Sequence, residues 1–377
     1  MSTNFSSLLN FFRWFSALLV ILSHTRHLIF VDYQNIIDKN IFIKAFYFIT
    51  GFGHEAVIIF FIISGFLVGG LTLEKWLTKI QYKIYLVDRF SRIYIVLIPA
   101  IFIGGGLDWL GSNYVNGSEI YTNSARYQTS SLGSVISTNL NFETLFGNAL
   151  NLQNIFFPIF GSNGPLWSLA NEWWYYIIFA TLLDKKPLNK LFSASIAVTI
   201  ILCLPFKITY MMLIWLLGVL ILQFNKFKLP TLPTFISLII FIIVLVISRL
   251  SHNPDNLTSP ESDLIAFTRD MGFGFAFSLL LISCNSRGFY FPFSYIHKLL
   301  ADFSYSIYLF HFPIFIFLMA LSHDFLAINF MQQPNSNCAL LFLGIILVIY
   351  ILSYLISLIT ERHTKKLRNF ILTKILH

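Results

Sequence analysis

An arginine and a histidine lie eleven residues apart in the first long apolar stretch of the chain, at Arg13 and His24. In an α-helix, eleven residues at about 100° each end within about 20° of full register, so both side chains project from one face. They are about 16 Å apart along that face. Ionisable residues inside an apolar helix are costly and indicate a functional site. This pair offers a fixed cation at one depth and a nitrogen that can accept a proton or attack a carbonyl at another.

Two pairs of residues in the next apolar stretches are also candidates. Ser64 and Gly65 are small residues in mid-stretch, where they permit close approach by a neighbouring helix or by a ligand. Arg89 and Arg92 are three residues apart, so they share a helix face and form a fork suited to phosphate. Alternatively, the two arginines simply anchor the helix at the cytoplasmic membrane surface.

A carboxylate and a second histidine follow later in the chain. Glu172 comes shortly after Trp167 and Ser168, about 9 Å below the predicted outer end of its helix. His24 lies at about the same depth, so we expect the two to meet in the outer half of the membrane. A structural salt bridge is the alternative for Glu172. His311 lies near the middle of its apolar stretch, where it is either functional or a neutral, hydrogen-bonded core residue.

The composition predicts an all-α polytopic membrane protein. Of 377 residues, 56% are hydrophobic and 11% are charged, whereas soluble domains have about 25% charged residues. The net charge of +8 is explained by membrane topology, so we expect no nucleic-acid partner. Three cysteines without CxxC or HExxH spacing predict neither a disulfide framework nor a metal site.

About ten transmembrane helices are expected, since a bilayer core needs about 20 apolar residues per helix. With the N-terminus inside, the inner connections and tail contain 17 Lys and Arg residues and the outer loops 6, which predicts that both termini are cytoplasmic. No cleaved signal peptide is expected, because the first stretch is long and contains charge. The predicted spans are 8–30, 54–73, 91–110, 165–183, 191–205, 208–224, 232–249, 269–285, 303–322 and 338–360.

The connections and the tail give further expectations. Residues 111–164 are rich in Asn and Tyr, so they either cover an outer-facing site or form a solvated connection. Residues 251–263 are expected to be an exposed acidic loop. Glu361 and Arg362, at the end of the last span, are expected to form a structural ion pair. We therefore divide the chain into a membrane domain, 1–361, and a short basic cytoplasmic tail, 362–377, that lies on the inner surface.

The chain contains six motifs whose sequences and order resemble those of the acyltransferase-3 family. Members of this family are integral membrane enzymes that O-acylate sugars and other hydroxyl acceptors. The chain departs from the family at Ile58-Ile59, where an acid is frequent, and at Ile95 and His363, where prolines are frequent. The motifs are Arg-x10-His (Arg13, His24), Phe-Phe-x-x-Ser-Gly-Phe (Phe60 to Phe66), Arg-x-x-Arg (Arg89, Arg92), Trp-Ser-Leu-x-x-Glu (Trp167 to Glu172), Ser-Tyr-Ser-x-Tyr-Leu-x-His-x-Pro (Ser304 to Pro313) and Glu-Arg (Glu361, Arg362).

The resemblance implies a stand-alone acyltransferase of the bacterial inner membrane, without an appended esterase-like domain. It would move an acyl group, expected to be acetyl, from cytoplasmic acyl-CoA to a hydroxyl of a surface glycan or its lipid-linked precursor, such as O-antigen or capsule. Acyl-CoA is then a co-substrate, and no bound cofactor is expected. The implied roles are catalysis by His24 and Glu172, acyl-CoA binding by Arg13, Arg89, Arg92, Ser64 and Gly65, and acceptor binding or support by Trp167, Ser168, Tyr305 and His311.

Two questions stay open from the sequence. His24 would act either as the general base for the acceptor hydroxyl or as a nucleophile that carries the acyl group. The chain could alternatively be a secondary transporter that uses the intramembrane Arg, His and Glu as a proton relay. Transporters usually contain internal repeats, and we find none here. A non-enzymatic scaffold would give no reason for Arg13 and His24 to share one face.

Overall fold

The computed structural model describes residues 2–76, 82–127, 132, 135–183, 187–227, 230–251, 260–287 and 289–374. Within these ranges the chain is 80% helical and has no strands. The α-helices are α1 (Thr3–Ile29), α2 (Ile41–Ile49), α3 (Gly53–Ser64), α4 (Leu71–Trp76), α5 (Tyr82–Tyr114), α6 (Phe142–Ala149), α7 (Leu166–Leu182), α8 (Pro187–Cys203), α9 (Phe206–Lys226), α10 (Thr234–Ser251), α11 (Pro260–Ser286), α12 (Ser294–Ala301), α13 (Ser304–Leu326), α14 (Ser336–Ile359) and α15 (Thr364–Lys374).

Each of the ten predicted spans coincides with helix in the structure. Within the described residues, eight helical segments are long and apolar enough to cross a membrane. The predicted fourth and fifth spans correspond to α7 and α8, which have 17 residues each and are shorter than those eight. The prediction of an all-α polytopic membrane protein is confirmed.

The predicted helix ends were less accurate than the helix positions. The helix that contains the third predicted span, α5, begins at Tyr82 rather than at residue 91. Arg89 and Arg92 therefore lie inside this helix rather than at its start. Charged residues such as Lys and Arg are good helix formers, so the end of an apolar run does not mark the end of a helix. Of the expected acidic loop at 251–263, residues 252–259 lie outside the described ranges, and α11 already begins at Pro260.

Three helices, α1, α3 and α13, form the centre of the molecule. Helix α1 packs against α3, α12 and α13, while α3 packs against α9, and α13 against α5 and α14. Helix α13 is buried along most of its length, whereas α10 and α14 leave most of their apolar side chains exposed. A helix with this exposed apolar surface is suited to face lipid.

A π-helical turn, Gly65–Gly70, continues α3 and crosses α9 with backbone in contact with backbone. A Cβ atom added to Gly65 would lie 1.9 Å from the carbonyl oxygen of Trp215, and one added to Gly218 would lie 2.0 Å from that of Ile62. Glycine at both positions allows the two helices to approach this closely. Gly65 is therefore a packing residue between helices, which is one of the two expectations for it.

The Asn-rich segment between α5 and α7 uses its amides mainly to hold its own backbone. The side chain of Asn141 caps α6, and that of Asn148 bonds the carbonyl oxygens of Thr144 and Pro158 and the amide of Phe160. The segment is fixed to α5 where Asp108 accepts two hydrogen bonds of 2.7 Å from Ser162. Asn141 and Asn148 thus stabilise the fold of this segment.

Candidate functional site

A cavity of about 520 Å³ lies between α1, α3, α5, α7 and α13 and extends to the start of α15. It contains both basic and acidic groups and a large apolar wall, an arrangement that suits an amphipathic ligand. Its lining consists of Arg13, Val57, Phe60, Phe61, Ile63, Ser64, Leu67, Val68, Asp88, Arg89, Arg92, Ile93, Ser168, Leu169, Glu172, Tyr176, Asp302, Ser304, Tyr305, Tyr308, Glu361, Thr364 and Arg368.

Arg89 and Arg92 both line the cavity, as expected for residues on one face of α5. The guanidinium of Arg89 lies 5.9 Å from the ring centre of Tyr176. That of Arg92 lies 5.5 Å from the ring centre of Tyr305 and forms an ion pair of 3.0 Å with Glu361. Aromatic faces hold both guanidinium groups at the cavity wall by cation–π attraction.

The carboxylate of Glu361 caps the start of α13. One of its oxygens accepts hydrogen bonds from the backbone amide and the hydroxyl of Ser306, at 3.2 and 3.0 Å, and the other pairs with Arg92. A negative charge is stabilised at the N-terminus of a helix, where backbone amides are free to donate. The expected ion pair between Glu361 and Arg362 is therefore wrong, since Arg362 bonds the hydroxyl of Tyr354 instead.

Arg13 reaches the cavity from α1 and donates a hydrogen bond of 3.2 Å to the carbonyl oxygen of Ala301. Ala301 is the last residue of α12, so the guanidinium lies at the negative end of that helix dipole. This placement leaves the other guanidinium nitrogens available to the cavity. Arg13, Arg89 and Arg92, from two different helices, thus contribute positive charge to one cavity.

Glu172 also faces the cavity, where it accepts hydrogen bonds from the hydroxyls of Ser64 and Tyr176. The indole of Trp215 donates to Ser64 at 3.2 Å and so fixes that hydroxyl from the side of α9. This network joins α3, α7 and α9 at the middle of the apolar wall. It provides the partly buried carboxylate with the partners that its position within an apolar helix requires.

His24 does not line this cavity but forms a hydrogen bond with His311, their Nδ1 and Nε2 atoms 2.9 Å apart. Nδ1 of His311 lies 2.8 Å from the carbonyl oxygen of Tyr308 and 3.2 Å from that of Ile307. Carbonyl oxygens accept only, so Nδ1 of His311 carries its proton. In the neutral pair, Nε2 of His311 then accepts from Nδ1 of His24, which leaves a lone pair on Nε2 of His24.

The contact expected between His24 and Glu172 is not formed. Glu172 bonds Ser64 and Tyr176, whereas His24 bonds His311. The depth estimate compared two helix ends that were each uncertain by several residues, and each residue shifts the depth by about 1.5 Å. Arg13 and His24 do contact the same stretch of chain, at Ala301 and His311, in agreement with one shared helix face.

Tyr308 connects the histidine pair to the cavity. Tyr308 lines the cavity, its hydroxyl is 2.7 Å from that of Ser168, and its ring centre lies 6.0 Å from that of His311. The ring of Phe60, also on the cavity wall, lies 5.4 Å from the ring of Tyr308. One turn of α13 therefore joins the cavity surface to the histidine pair.

The backbone next to His311 is held by an unusual partner. Pro313 lies inside α13 and has no N–H, so the carbonyl oxygen of Leu309 lacks its helical donor. The side-chain amide of Asn163 donates to that oxygen at 3.0 Å. Asn163 is 2% exposed, so this bond is shielded from water and replaces the one that proline removes.

Besides His24 and His311, two further sequence candidates do not line the cavity. Gly65 packs against α9, and Trp167 packs edge-on against Phe61, with the amine of Lys207 5.8 Å above its ring. Ser64, Ser168 and Tyr305 do line it. Trp167 is therefore separated from the cavity surface by its position on the helix, although its neighbour Ser168 reaches it.

Sequence reasoning missed several residues that the structure brings to this site. Tyr308 was part of a recognised motif, and its spacing of three from His311 would have placed the two on one helix face. Asp88 and Arg368 both line the cavity and form an ion pair, although they come from α5 and from the basic tail helix. No local sequence signal links these two residues, which are 280 positions apart.

A family model described as an acyltransferase domain matches residues 7–362, which is nearly the whole chain. No curated protein and no solved structure matches the chain. The match includes every motif residue that faces the cavity and both members of the histidine pair, and it fits the membrane-spanning helices described above. The chain belongs to the acyltransferase-3 family and is an integral, multi-pass membrane acyltransferase.

Proposed function

We propose that this protein transfers an acetyl group from cytoplasmic acetyl-CoA to a hydroxyl of a surface glycan or its lipid-linked precursor. The observation that carries the proposal is the 520 Å³ cavity, which combines a cluster of arginines with an apolar wall and adjoins a hydrogen-bonded histidine pair. In a bacterium the enzyme would act in the inner membrane, with the donor on the inside and the acceptor on the outside.

The cavity matches the chemistry of the donor. Arg89, Arg92 and Arg13 would bind the phosphates of acetyl-CoA, since guanidinium groups bind phosphate through paired hydrogen bonds. The pantetheine arm would lie along the apolar wall formed by residues such as Phe61 and Leu67. Glu172 would hold the Ser64 and Tyr176 hydroxyls in place beside this arm.

His24 would act as the general base. Its Nε2 lone pair removes the proton from the acceptor hydroxyl while that oxygen attacks the thioester carbonyl. The C–S bond then breaks, the acetyl ester forms, and the departing thiolate takes up the proton from His24. His311 would act as a positioning residue, because its Nε2 accepts from Nδ1 of His24 and keeps the other nitrogen free.

The thioester would pass Tyr308 to reach His24, because the cavity surface ends at Tyr308 and Ser168 in this region. The rings of Phe60 and Tyr308, with centres 5.4 Å apart, would then form a constriction between the donor cavity and the histidine pair. Closure by these rings would also exclude water from the thioester and limit its hydrolysis.

His24→Ala tests the proposal directly. We expect it to lower O-acetylation of the host's surface polysaccharide by about 10²–10⁴-fold, the usual contribution of a general base. The measurement is mass spectrometry of that polysaccharide from cells that express each variant at equal levels. His27→Ala, on the same helix three residues later, is the matched control and should retain activity. Normal O-acetylation with His24→Ala would exclude this role.

Incubation with donor alone separates the two mechanisms. If purified protein and ¹⁴C-acetyl-CoA give a labelled protein that His24→Ala abolishes, the acetyl group is carried covalently on His24 and transfer occurs in two steps. A general base predicts no such labelling, because the acetyl group moves only when an acceptor hydroxyl is present.

A further inference from the structure

A second, smaller cavity lies beyond the outer end of α13. It has a volume of about 280 Å³, and its walls include Arg126, Tyr127, His323, Asn329 and Phe330. We call it the outer pocket. It is formed by two separate parts of the chain, residues 117–127 after α5 and residues 323–331, which include the last turn of α13 and the start of the connection to α14. None of its residues takes part in the donor cavity.

The outer pocket has an ordered aromatic wall. The ring centres of Tyr127 and Phe330 lie 4.9 Å apart, and both residues are largely buried. The hydroxyl of Tyr127 donates to the carbonyl oxygen of Ser118, which fixes the direction of the ring. Both residues line the pocket, so the small exposed part of each ring gives it an apolar surface against which the C–H groups of a sugar can pack.

Polar groups with different hydrogen-bonding capacities surround this wall. Nδ1 of His323 donates to Asp324 at 2.8 Å, so the neutral ring offers Nε2 as an acceptor. Arg126 offers hydrogen-bond donors. The side-chain amide of Asn329 offers both a donor and an acceptor, and it makes no hydrogen bond within the described part of the chain. Such a mixture suits neighbouring hydroxyl groups, each of which donates and accepts.

The outer pocket is held firmly to the helix that carries His24. Backbone amides of Met331 and Gln332 donate to the carbonyl oxygens of Leu28 and Ile29, each at 2.9 Å, at the end of α1. Ala327 and Met331 have φ angles of 55° and 53°, a conformation that non-glycine residues adopt at a cost. The surrounding structure thus imposes a specific, strained path on this wall.

The distance of the outer pocket from the histidine pair determines which sugar unit of an acceptor it would contact. His323 follows His311 by twelve residues on α13, so the two lie about 18 Å apart along that helix. A single sugar ring cannot span this distance, whereas an oligosaccharide can. The volume, just below the roughly 300–1,000 Å³ of small-molecule sites, suits one sugar unit.

We infer that the outer pocket is a distal carbohydrate subsite, which holds a sugar unit of the acceptor several units away from the one that receives the acyl group. This inference rests on the proposed function, since it assigns a second binding position to the same acceptor. It predicts that the enzyme prefers long acceptors, because binding energy from a remote unit lowers KM for chains that reach the outer pocket.

Direct binding tests the subsite without requiring activity. The probe is a set of oligosaccharides released from the host's surface polysaccharide by mild acid, labelled with a fluorophore at the reducing end, and measured by anisotropy with the solubilised full-length protein. Asn329→Ala and His323→Ala should each weaken binding of the longer oligosaccharides by about 10-fold, the effect of one lost hydrogen bond. Gln34→Ala, an exposed amide outside the outer pocket, is the matched control.

The outcomes separate this inference from the proposed function. Equal binding by wild type, Asn329→Ala and His323→Ala would overturn the subsite, as would equal binding of monosaccharide and long oligosaccharide by wild type. A third outcome is that Asn329→Ala weakens binding although the wild-type protein transfers no acetyl group. This result would support the subsite and reject the proposed donor or reaction. Where transfer occurs, the variants should raise KM for long acceptors and leave acetyl-CoA hydrolysis without acceptor unchanged.

Discussion

Nδ1 of His24 and Nε2 of His311 lie 2.9 Å apart, and this bond joins two helices whose residues are 287 positions apart in sequence. The carbonyl oxygens of Tyr308 and Ile307 fix the proton on the far nitrogen of His311. The pair therefore has one arrangement of protons in its neutral form, and it presents a single basic nitrogen, Nε2 of His24. In catalytic histidines of known enzymes, the reactive nitrogen is likewise set by the hydrogen bond on the opposite nitrogen.

Removal of His311 should impair the reaction while leaving the substrates bound. We expect His311→Ala to lower kcat by at least about 10-fold, equivalent to about 1.4 kcal/mol, because His24 loses the acceptor that orients it. His311→Gln, which retains an acceptor oxygen, should recover part of this loss. The measurement is steady-state kinetics with acetyl-CoA. Equal kcat for His311→Ala and wild type would show that the bond does not orient His24.

The bond from Asn163 to the carbonyl oxygen of Leu309 should matter only while Pro313 is present. Asn163→Ala leaves a buried carbonyl without a donor, and we expect it to destabilise the protein by about 1–3 kcal/mol. In a Pro313→Ala background, the restored backbone N–H bonds Leu309 itself, and the same substitution should then have little effect. Thermal unfolding of the four proteins in one detergent measures this coupling.

The crossing of α3 and α9 should tolerate no side chain at Gly218. Gly218→Ala would place a Cβ atom 2.0 Å from the carbonyl oxygen of Ile62, so the helices must separate. We expect a loss of stability of several kcal/mol, or failure to fold, since overpacking commonly costs about 1–3 kcal/mol and backbone cannot move aside as a side chain does. Gly106→Ala, which has no atom within 4 Å, is the control and should be neutral or slightly stabilising. Equal melting temperatures for the two variants would contradict this packing.

Arg368, in the tail helix, should contribute to donor binding. It lies on the cavity and pairs with Asp88, beyond the end of the family match at residue 362. We expect Arg368→Ala to raise KM for acetyl-CoA about 3–10-fold and to leave kcat nearly unchanged, as for a group that binds ground state and transition state equally. Lys365→Ala removes an exposed charge of the same helix that does not line the cavity, so it should leave this KM unchanged. The same KM for both variants would place Arg368 outside the donor site.

The sequence determined the positions of the helices and the order of the motifs along them. Ten apolar stretches coincide with helix, because bilayer length and hydropathy are local properties of the chain. The periodicity of the helix also placed Arg13 and His24 toward a common neighbour, and Arg89 and Arg92 on one cavity wall. Short helices such as α2 and α12 were not predicted from the sequence, because they are shorter than the apolar stretch that spans a bilayer.

Tertiary structure alone decided which of these residues meet. Glu172 bonds Ser64 rather than His24, Glu361 bonds Arg92 rather than its neighbour Arg362, and a helix beyond the family match contributes Arg368. Such pairings depend on how far each helix is tilted, rotated and shifted against the next, and helical periodicity specifies only which residues share a face. A shift of one turn, about 5.4 Å, is enough to exchange one partner for another.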